Sequence, residues 1–293
     1  MNRRFFTTSV ALSSVLCLST FPRTGLAGGD GKHFEQALRQ LEDRSQGRLG
    51  VHIIDTASGA EYGYRSDERF MMLSSHKLLS SALVLARVDQ GQEKLERRIR
   101  YTQRDLVEWS PVTKDYVDSD GLSLAKLCEA TITTSDNTAA NLILSSYGGP
   151  KKFTEFARKL GDTVTRLDRN EPELNFAMGT EPFDTTSPRA MAKTIEKLML
   201  GKVLTPASRD LLMQWLVANT TGGKRLRAGI PAEWKIGEKT GTNRNSSNDV
   251  GMIQPPGRAP LVITVYLADS TASSEVKDGV IADVGKLVAT LVN

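Results

Sequence analysis

The stretch Ser74-Ser75-His76-Lys77 opens a run of mostly apolar residues that extends to Ala86 and predicts a buried helix. Positions three apart lie on the same face of a helix, so the Ser74 hydroxyl and the Lys77 amine are expected to meet. A serine hydroxyl is a weak nucleophile until a neighbouring group takes its proton, and an amine with a lowered pKa can do that. This pair therefore predicts nucleophilic catalysis by serine.

The Ser-x-x-Lys pattern alone is a weak signal, because it occurs twice more, at residues 123–126 and 274–277. Both copies follow loop-forming residues and begin a helical pattern. We therefore interpret Ser123 and Ser274 as helix N-caps, whose hydroxyls accept from the first backbone N–H groups of a helix. A catalytic role for Ser74 has to be supported by other motifs.

The motif Ser135-Asp136-Asn137 occurs once, between an apolar run and a helical pattern that begins at Thr138. A serine in that place can relay protons, and an asparagine amide can orient an amide of a substrate. Taken alone, the motif is better explained as a helix N-cap. Its meaning depends on what it meets in the fold.

The motif Lys239-Thr240-Gly241 also occurs once, at the end of a predicted strand. A lysine that faces a cleft can hold an anion, and glycine lets the backbone approach a ligand closely. An exposed strand end explains the motif equally well. The interpretation again depends on the other motifs.

The three motifs in this order resemble those of the class A serine β-lactamases, and the spacings between Ser74, Ser135 and Lys239 agree with that family. A fourth segment, residues 166–175, resembles the omega loop of the family. The resemblance covers residues 30–293, which is essentially the whole chain after its first residues.

The resemblance implies a detailed arrangement of the loop. Glu171 and Asn175 match the pair that holds the hydrolytic water, while Arg169 and Asp184 match an ion pair that closes the loop. The bond between Glu171 and Pro172 is expected to be cis, which proline tolerates far better than other residues.

The resemblance also implies a role for each site residue. Ser74 would be the nucleophile, with Lys77 or Glu171 as its base, and the backbone N–H groups of Ser74 and Thr242 would form the oxyanion hole. The implied catalytic residues are Ser74, Lys77, Ser135, Glu171, Asn175 and Lys239. The implied substrate-binding residues are Trp109, Asn137, Thr240, Gly241, Thr242 and Arg225. No metal and no organic cofactor is implied.

Some positions depart from the pattern of the family. Asn170 stands where tryptophan is frequent, and His76 stands where an apolar residue is common. Many relatives pair two cysteines where this chain has Ser81 and Cys128. Several carbapenem-hydrolysing members have a disulfide where this chain has Leu73 and Asn243. None of these changes removes a catalytic group. They bear on the range of substrates: penicillins and cephalosporins are the expected substrates, and turnover of carbapenems is a hypothesis.

Two rival functions share part of this motif set. A D,D-peptidase has the serine-lysine, Ser-x-Asn and Lys-Thr-Gly motifs but lacks the loop with Glu171 and Asn175. A β-lactam sensor domain becomes acylated and stays so, and it is expected to carry a membrane segment, of which the sequence shows none. The hydrolase is the stronger interpretation, and it would confer resistance to the antibiotics that it destroys.

Residues 1–27 are predicted to be a secretory signal peptide. They combine a basic start, an apolar stretch from Phe5 to Leu18 and the small-x-small pattern of residues 25–27. Arg3 and Arg4 also allow a twin-arginine signal. We expect a periplasmic or secreted protein that has no contact with the membrane once the signal is removed.

Composition narrows the possible partners. Among the 293 residues, 39% are hydrophobic and 25% are charged, as in a soluble globular protein. Removing residues 1–27 takes away three arginines and no acidic residue, which lowers the net charge from +4 to +1. No basic patch with interleaved aromatic residues is present, so nucleic acid is not an expected partner. The mature chain keeps one cysteine, Cys128, and we expect a monomer without a disulfide.

The pattern of elements predicts an α/β fold. A helix and a hairpin come first, a mostly helical block follows, and three strands and a final helix complete the chain. We expect one antiparallel five-stranded sheet flanked by the terminal helices, with an all-helical lobe beside it. The single catalytic domain, residues 28–293, would thus have an α/β lobe from 28–65 and 217–293 and a helical lobe from 66–216. A site between the two lobes is the expected place for chemistry.

Overall fold

The computed structural model describes the backbone of residues 28–292 and the side chains of residues 32–291. The predicted signal peptide, residues 1–27, lies outside the described residues. Within residues 28–292, no helix has both the length and the hydropathy needed to cross a membrane.

The described chain folds into helices and strands whose order agrees with the expected one. The strands are β1 Arg48–Asp55, β2 Glu61–Tyr64, β3 Phe70–Met71, β4 Arg98–Ile99, β5 Leu122–Ser123, β6 Thr185–Thr186, β7 Lys235–Thr242, β8 Ser247–Gln254 and β9 Leu261–Ala268. The α-helices are α1 Gly28–Ser45, α2 His76–Asp89, α3 Leu124–Thr133, α4 Asn137–Tyr147, α5 Pro150–Lys159, α6 Pro188–Met199, α7 Pro206–Val217, α8 Leu226–Gly229 and α9 Ser274–Val292.

Five strands form one antiparallel sheet in the order β2-β1-β9-β8-β7, which confirms the predicted fold. The strands from the two ends of the chain meet where β1 pairs with β9 over their whole length. This order leaves β7 at one edge of the sheet. The backbone groups of an edge strand are available to another chain or to a ligand, so β7 is suited to binding.

The sheet is buried on both faces, which explains why β9 is mostly apolar and is buried throughout. Its odd-numbered apolar residues, such as Ile263 and Val265, pack in a core with α1, α8 and α9. Its even-numbered ones, such as Val262 and Tyr266, pack in a second core with the helices of the middle of the chain. The two cores support the predicted division into lobes near residues 65 and 217, which itself stays a prediction.

Helix boundaries follow the capping chemistry with one difference from expectation. Ser123 is the N-cap of α3, as predicted, and accepts from the backbone N–H of Lys126. Ser274 was expected to cap α9, but Ser273 does so and accepts from the backbone N–H of Val276 at 3.3 Å. Each of two adjacent serines is a suitable cap, so the sequence pattern could not separate them. The middle of the chain also contains four two-residue strands that no periodicity could predict.

Candidate active site

Ser74 lies in a single 3₁₀ turn, Leu73–Ser75, that leads directly into α2. The backbone of Leu73 is left-handed, with a φ of 50°, which turns the chain sharply before the helix. Lys77 is in the first turn of α2, and its Nζ donates to Ser74 Oγ at 2.9 Å. The contact expected from the spacing of three is therefore present.

Lys77 is fully buried and is surrounded by acceptors. Its Nζ lies 2.9 Å from the Ser135 carbonyl, 2.5 Å from Asn137 Oδ1 and 3.1 Å from Glu171 Oε1. Burial lowers the pKa of Lys77, while the charge of Glu171 acts in the opposite direction. A buried amine with these acceptors can both hold and transfer a proton.

The Ser135 motif is a helix cap and a contact point at the same time. Asp136 caps α4 by accepting from the backbone N–H of Ala139 at 2.8 Å. The left-handed backbone of Ser135, with a φ of 60°, accompanies this turn between α3 and α4. Ser135 Oγ lies 3.2 Å from the Nζ atoms of both Lys77 and Lys239. The hydroxyl thus connects the two lysines.

Lys239 projects from the edge strand β7 and is also fully buried. Its Nζ donates to the Thr240 carbonyl at 2.8 Å as well as to Ser135 Oγ. Burial, together with the nearby charge of Lys77, lowers the pKa of Lys239 well below its ordinary value. Two buried lysine amines on one hydroxyl make a place where a bound anion would favour the charged forms of both.

The omega loop is closed by the expected ion pair. Arg169 Nε lies 2.7 Å from Asp184 Oδ2, and the other carboxylate oxygen accepts from the backbone N–H groups of Asp168 and Arg169. The bond between Glu171 and Pro172 is cis, as predicted. These contacts determine where the loop presents the Glu171 carboxylate.

The backbone of Glu171 is held by a residue that the sequence patterns did not single out. The Asn141 side chain accepts from the N–H of Glu171 at 2.9 Å and donates to its carbonyl at 2.8 Å. Asn141 lies one helical turn after Asn137 on α4, so both amides lie on the same side of that helix. This spacing was the only signal in the sequence, and it is too common to be specific.

The Glu171 carboxylate faces the serine-lysine pair and contacts three side chains. Oε2 accepts from Asn175 Nδ2 at 2.5 Å, while Oε1 lies 3.1 Å from Lys77 Nζ and 3.4 Å from His76 Nε2. Burial opposes ionisation of the carboxyl, yet Lys77 and His76 outweigh it and lower the pKa of Glu171. The carboxylate is therefore ionised at neutral pH.

A cleft of about 400 Å³ opens beside these groups. Trp109 forms part of its mouth, with a side chain that is 62% exposed and an Nε1 that donates to the Thr134 carbonyl at 3.0 Å. The residues that line the cleft are Ser74, Trp109, Ser135, Asn137, Asn175, Thr221, Thr240 and Thr242. Thr221, which we did not predict, contacts Thr240 by a hydroxyl–hydroxyl hydrogen bond of 2.5 Å.

Two of the remaining predicted residues lie on β7 at the edge of this cleft. A side chain at Gly241 would approach the Met72 carbonyl to 2.9 Å, so glycine allows β7 to pack against the turn that carries Ser74. Ser74 and Thr242 both line the cleft beside this contact.

Arg225 does not line the cleft. Its guanidinium is buried behind β7, where it donates to the carbonyls of Gly241 and Asn248 and forms an ion pair of 2.7 Å with Asp278. Its Nη2 also donates to Thr242 Oγ1 at 2.8 Å. Arg225 thus reaches the cleft through the Thr242 hydroxyl, and it is not a surface residue.

A five-stranded antiparallel sheet beside a helical lobe, with Ser74, Lys77, Ser135 and Lys239 meeting between them, defines the class of penicillin-interactive serine enzymes. Residues 33–292 match the family described as the beta-lactamase enzyme family, and the chain belongs to that family as a class A β-lactamase. It is therefore an enzyme that hydrolyses β-lactams and confers resistance to them.

The relatives extend over most of the chain. A β-lactamase of Streptomyces albus G is 44% identical, covering 98% of this chain and 96% of its own length. The β-lactamase OXY-2 of Klebsiella oxytoca is 44% identical, with 86% and 87% covered. Among solved structures, an ancestral class A β-lactamase superposes with a TM-score of 0.86 at 57% identity, covering 88% of this chain and 99% of that one.

Proposed function

We propose that the protein hydrolyses penicillins and cephalosporins through an acyl-enzyme on Ser74, and that it acts as a periplasmic or secreted monomer. One observation carries the proposal: Lys77 Nζ lies between Ser74 Oγ, at 2.9 Å, and Glu171 Oε1, at 3.1 Å. The nucleophile Ser74 and the ionised base Glu171 thus contact the same amine, that of Lys77. An enzyme that only becomes acylated needs the first of these groups and not the second.

In the first step the Ser74 oxygen attacks the β-lactam carbonyl carbon, and the ring C–N bond breaks. The serine proton passes to Lys77, after Lys77 has given its own proton to Glu171, or it passes through a water to Glu171. The distances are compatible with both routes, and both use the same two groups. The leaving ring nitrogen takes a proton from Ser135, whose hydroxyl is flanked by Lys77 and Lys239. Ser135 regains a proton from Lys77, and Glu171 then returns its proton to Lys77, so that the carboxylate is ionised again before the second step.

In the second step a water attacks the ester carbon of the acyl-enzyme. Glu171 takes the proton of this water, Asn175 orients it, and Ser74 leaves with a proton returned to its oxygen. In both steps the backbone N–H groups of Ser74 and Thr242 would stabilise the negative oxygen of the tetrahedral intermediate.

Substrate binding would use the edge strand and the mouth of the cleft. Lys239, Thr240 and Thr242 would bind the substrate carboxylate, and Asn137, which lines the cleft, would contact the substrate side chain through its amide. Trp109 offers an exposed ring at the mouth. Carbapenem turnover stays a hypothesis, which rests on Thr242, Trp109 and Arg225, and repeated turnover of imipenem would support it.

The test of this function is the variant Glu171→Ala. Removing a general base slows the step that it serves by about 10²–10⁴-fold, so hydrolysis of the ester should stop. Acylation should still proceed, because burial lowers the pKa of Lys77 and Glu171 no longer opposes this, so that the neutral amine can take the serine proton itself. Mass spectrometry after mixing with benzylpenicillin should show one intact adduct per chain that persists for minutes.

Two controls accompany this test. Glu173→Ala removes an exposed glutamate two residues further along the same loop, and it should turn over without accumulating adduct. Ser74→Ala should form no adduct at all. Steady turnover by Glu171→Ala without an adduct would contradict the proposal, and a persistent adduct on the unmodified protein would instead favour the sensor or the D,D-peptidase.

A further inference from the structure

His76 is a fully buried histidine that contacts the Glu171 carboxylate directly. Its Nε2 lies 3.4 Å from Glu171 Oε1, and its Nδ1 lies 3.2 Å from Ser80 Oγ one turn further along α2. The edge of the ring packs on Phe153 of α5, with 6.2 Å between ring centroids. Both ring nitrogens therefore have a polar partner.

The direction of these hydrogen bonds follows from the charge of the ring. Three charged groups face it: Lys77 on its own helix, and Glu171 and Asp184 on the omega loop. Burial, aided by Lys77, lowers the pKa of His76 in spite of the two carboxylates, so the ring is neutral at neutral pH. An ionised Glu171 can only accept, so Nε2 carries the hydrogen and Nδ1 accepts from the Ser80 hydroxyl.

We propose that His76 is a positioning residue for the second half of the reaction, in which its Nε2–H holds Glu171 Oε1 while Asn175 holds Oε2. The proposal rests on the proposed function, since it requires Glu171 to be the base that activates water. It extends that function with a residue of α2 that touches neither the nucleophile nor the cleft.

The reason for such a residue lies in the other partner of Oε1. Lys77 also contacts Oε1, and in the route in which Lys77 takes the serine proton its charge, and so its attraction for Glu171, changes during the cycle. A neutral N–H donor does not change its charge in either route. By binding the ionised form, it also favours ionisation of Glu171, which the base needs before it can take a proton from water.

A purely structural alternative is that His76 only fills space beneath the loop, as an apolar residue would. Two substitutions of nearly equal length separate the alternatives. Glutamine places an N–H donor close to the position of Nε2, whereas methionine fills the same space without a donor. Ser80→Ala is a smaller change that keeps the imidazole and removes the hydroxyl that is the partner of Nδ1.

The experiment measures acylation and deacylation rates separately, by stopped flow with a chromogenic cephalosporin. The range extends from pH 9 down to pH 2.5, reached by pH jump, because the pKa of Glu171 is lowered. For His76→Met we expect deacylation to be about threefold to tenfold slower, the loss of one hydrogen bond, with acylation nearly unchanged. The acidic limb, which is the fall in the deacylation rate towards low pH, should move to higher pH by about half a unit to one unit. The reason is that the pKa of Glu171 rises when a donor is lost.

His76→Gln should retain most of the deacylation rate and the acidic limb of the unmodified protein. Ser80→Ala should move the limb in the same direction as His76→Met but less far, and it keeps the test decisive if His76→Met does not fold. Equal rates and limbs for the glutamine, methionine and Ser80 variants would overturn the proposal, as would equal slowing of both steps. If Glu171→Ala itself turned over normally, the proposed function would fail first, whatever the His76 variants did.

Discussion

Arg225 shows how a residue can serve the cleft without lining it. Three of its nitrogen atoms are used behind β7, on the ion pair with Asp278, on two backbone carbonyls and on the Thr242 hydroxyl. Its positive charge is close enough to the cleft to attract a carboxylate. Its guanidinium would, however, act on the substrate mainly by orienting Thr242.

We therefore expect Arg225→Ala to affect both binding and stability. Loss of the ion pair leaves Asp278 unpaired, and because that side chain is 20% exposed the cost is about 2 kcal/mol, less than for a fully buried pair. The melting temperature should fall by several degrees, and kcat/KM for benzylpenicillin should fall by about tenfold through a higher KM. Thermal unfolding and steady-state kinetics measure the two effects.

Thr242→Val provides the matched comparison, because it removes only the hydroxyl that Arg225 holds. If Arg225 acts through Thr242, the double variant should lose less activity than the sum of the single losses. Additive losses, or unchanged kinetics of the folded Arg225→Ala protein, would mean that the arginine has only a structural role.

At the level of elements, β7 and β8 are joined by a buried pair of carboxyl groups, Glu238 and Asp249. Asp249 accepts from the backbone N–H of Leu226, and Glu238 pairs with Arg227 at 3.0 Å. Burial, together with the neighbouring Glu238, raises the pKa of Asp249 well above its ordinary value, and burial raises the pKa of Glu238 as well. The pair therefore keeps a proton that an unfolded chain would release.

This pair should make the protein less stable as pH rises. A carboxyl with a raised pKa in the folded state contributes its stability fully below the unfolded value, near pH 4, and loses it as pH rises through the folded value. A difference of one between the folded and unfolded pKa of a group corresponds to about 1.4 kcal/mol in the free energy of unfolding. Asp249→Asn removes this titration. The melting temperature of the variant, relative to that of the unmodified protein, should therefore increase as the pH is raised from 4.

Asp210→Asn is the control for this measurement, since it makes the same chemical change at an exposed position of α7. The difference in melting temperature between this control and the unmodified protein should vary little with pH. If the difference in melting temperature for Asp249→Asn is equally constant with pH, the carboxyl pair does not keep a proton that the unfolded chain releases.

At the level of the whole molecule, two hydrophobic cores lie on opposite faces of one sheet, and the site lies where β7 meets the helices of the second core. Ser74 and Ser135 come from the helical part, Lys239 comes from the sheet, and Glu171 comes from the omega loop. The site is therefore complete only when both parts are folded together.

Export is the prediction that concerns the whole chain. After cleavage behind Ala27, the mature protein should begin near Gly28, which N-terminal sequencing of the periplasmic fraction would measure. Replacing both Arg3 and Arg4 with lysine keeps the charge of the basic start but disables a twin-arginine signal. Continued export of that variant would indicate the Sec route, and periplasmic protein that begins at Met1 would contradict the signal peptide.

What the sequence determined by itself was local. The Ser74–Lys77 contact follows from a spacing of three at the start of a helix, and α9 and β9 follow from apolar periodicity, because both depend on backbone geometry within one element. The family motifs extended this to the fold, the cis bond before Pro172 and the closed omega loop.

Only the tertiary structure decided which side chains meet across elements. Glu171 touches His76 and Asn141 because the omega loop packs on α2 and α4, and Arg225 is buried between Asp278 of α9 and the Thr242 hydroxyl of β7. Spacing along a chain determines geometry over a turn or two, whereas the pKa of a buried group depends on every charge that packing brings near it. For that reason, the charge of His76 and the trapped proton of Asp249 could be derived only from the folded molecule.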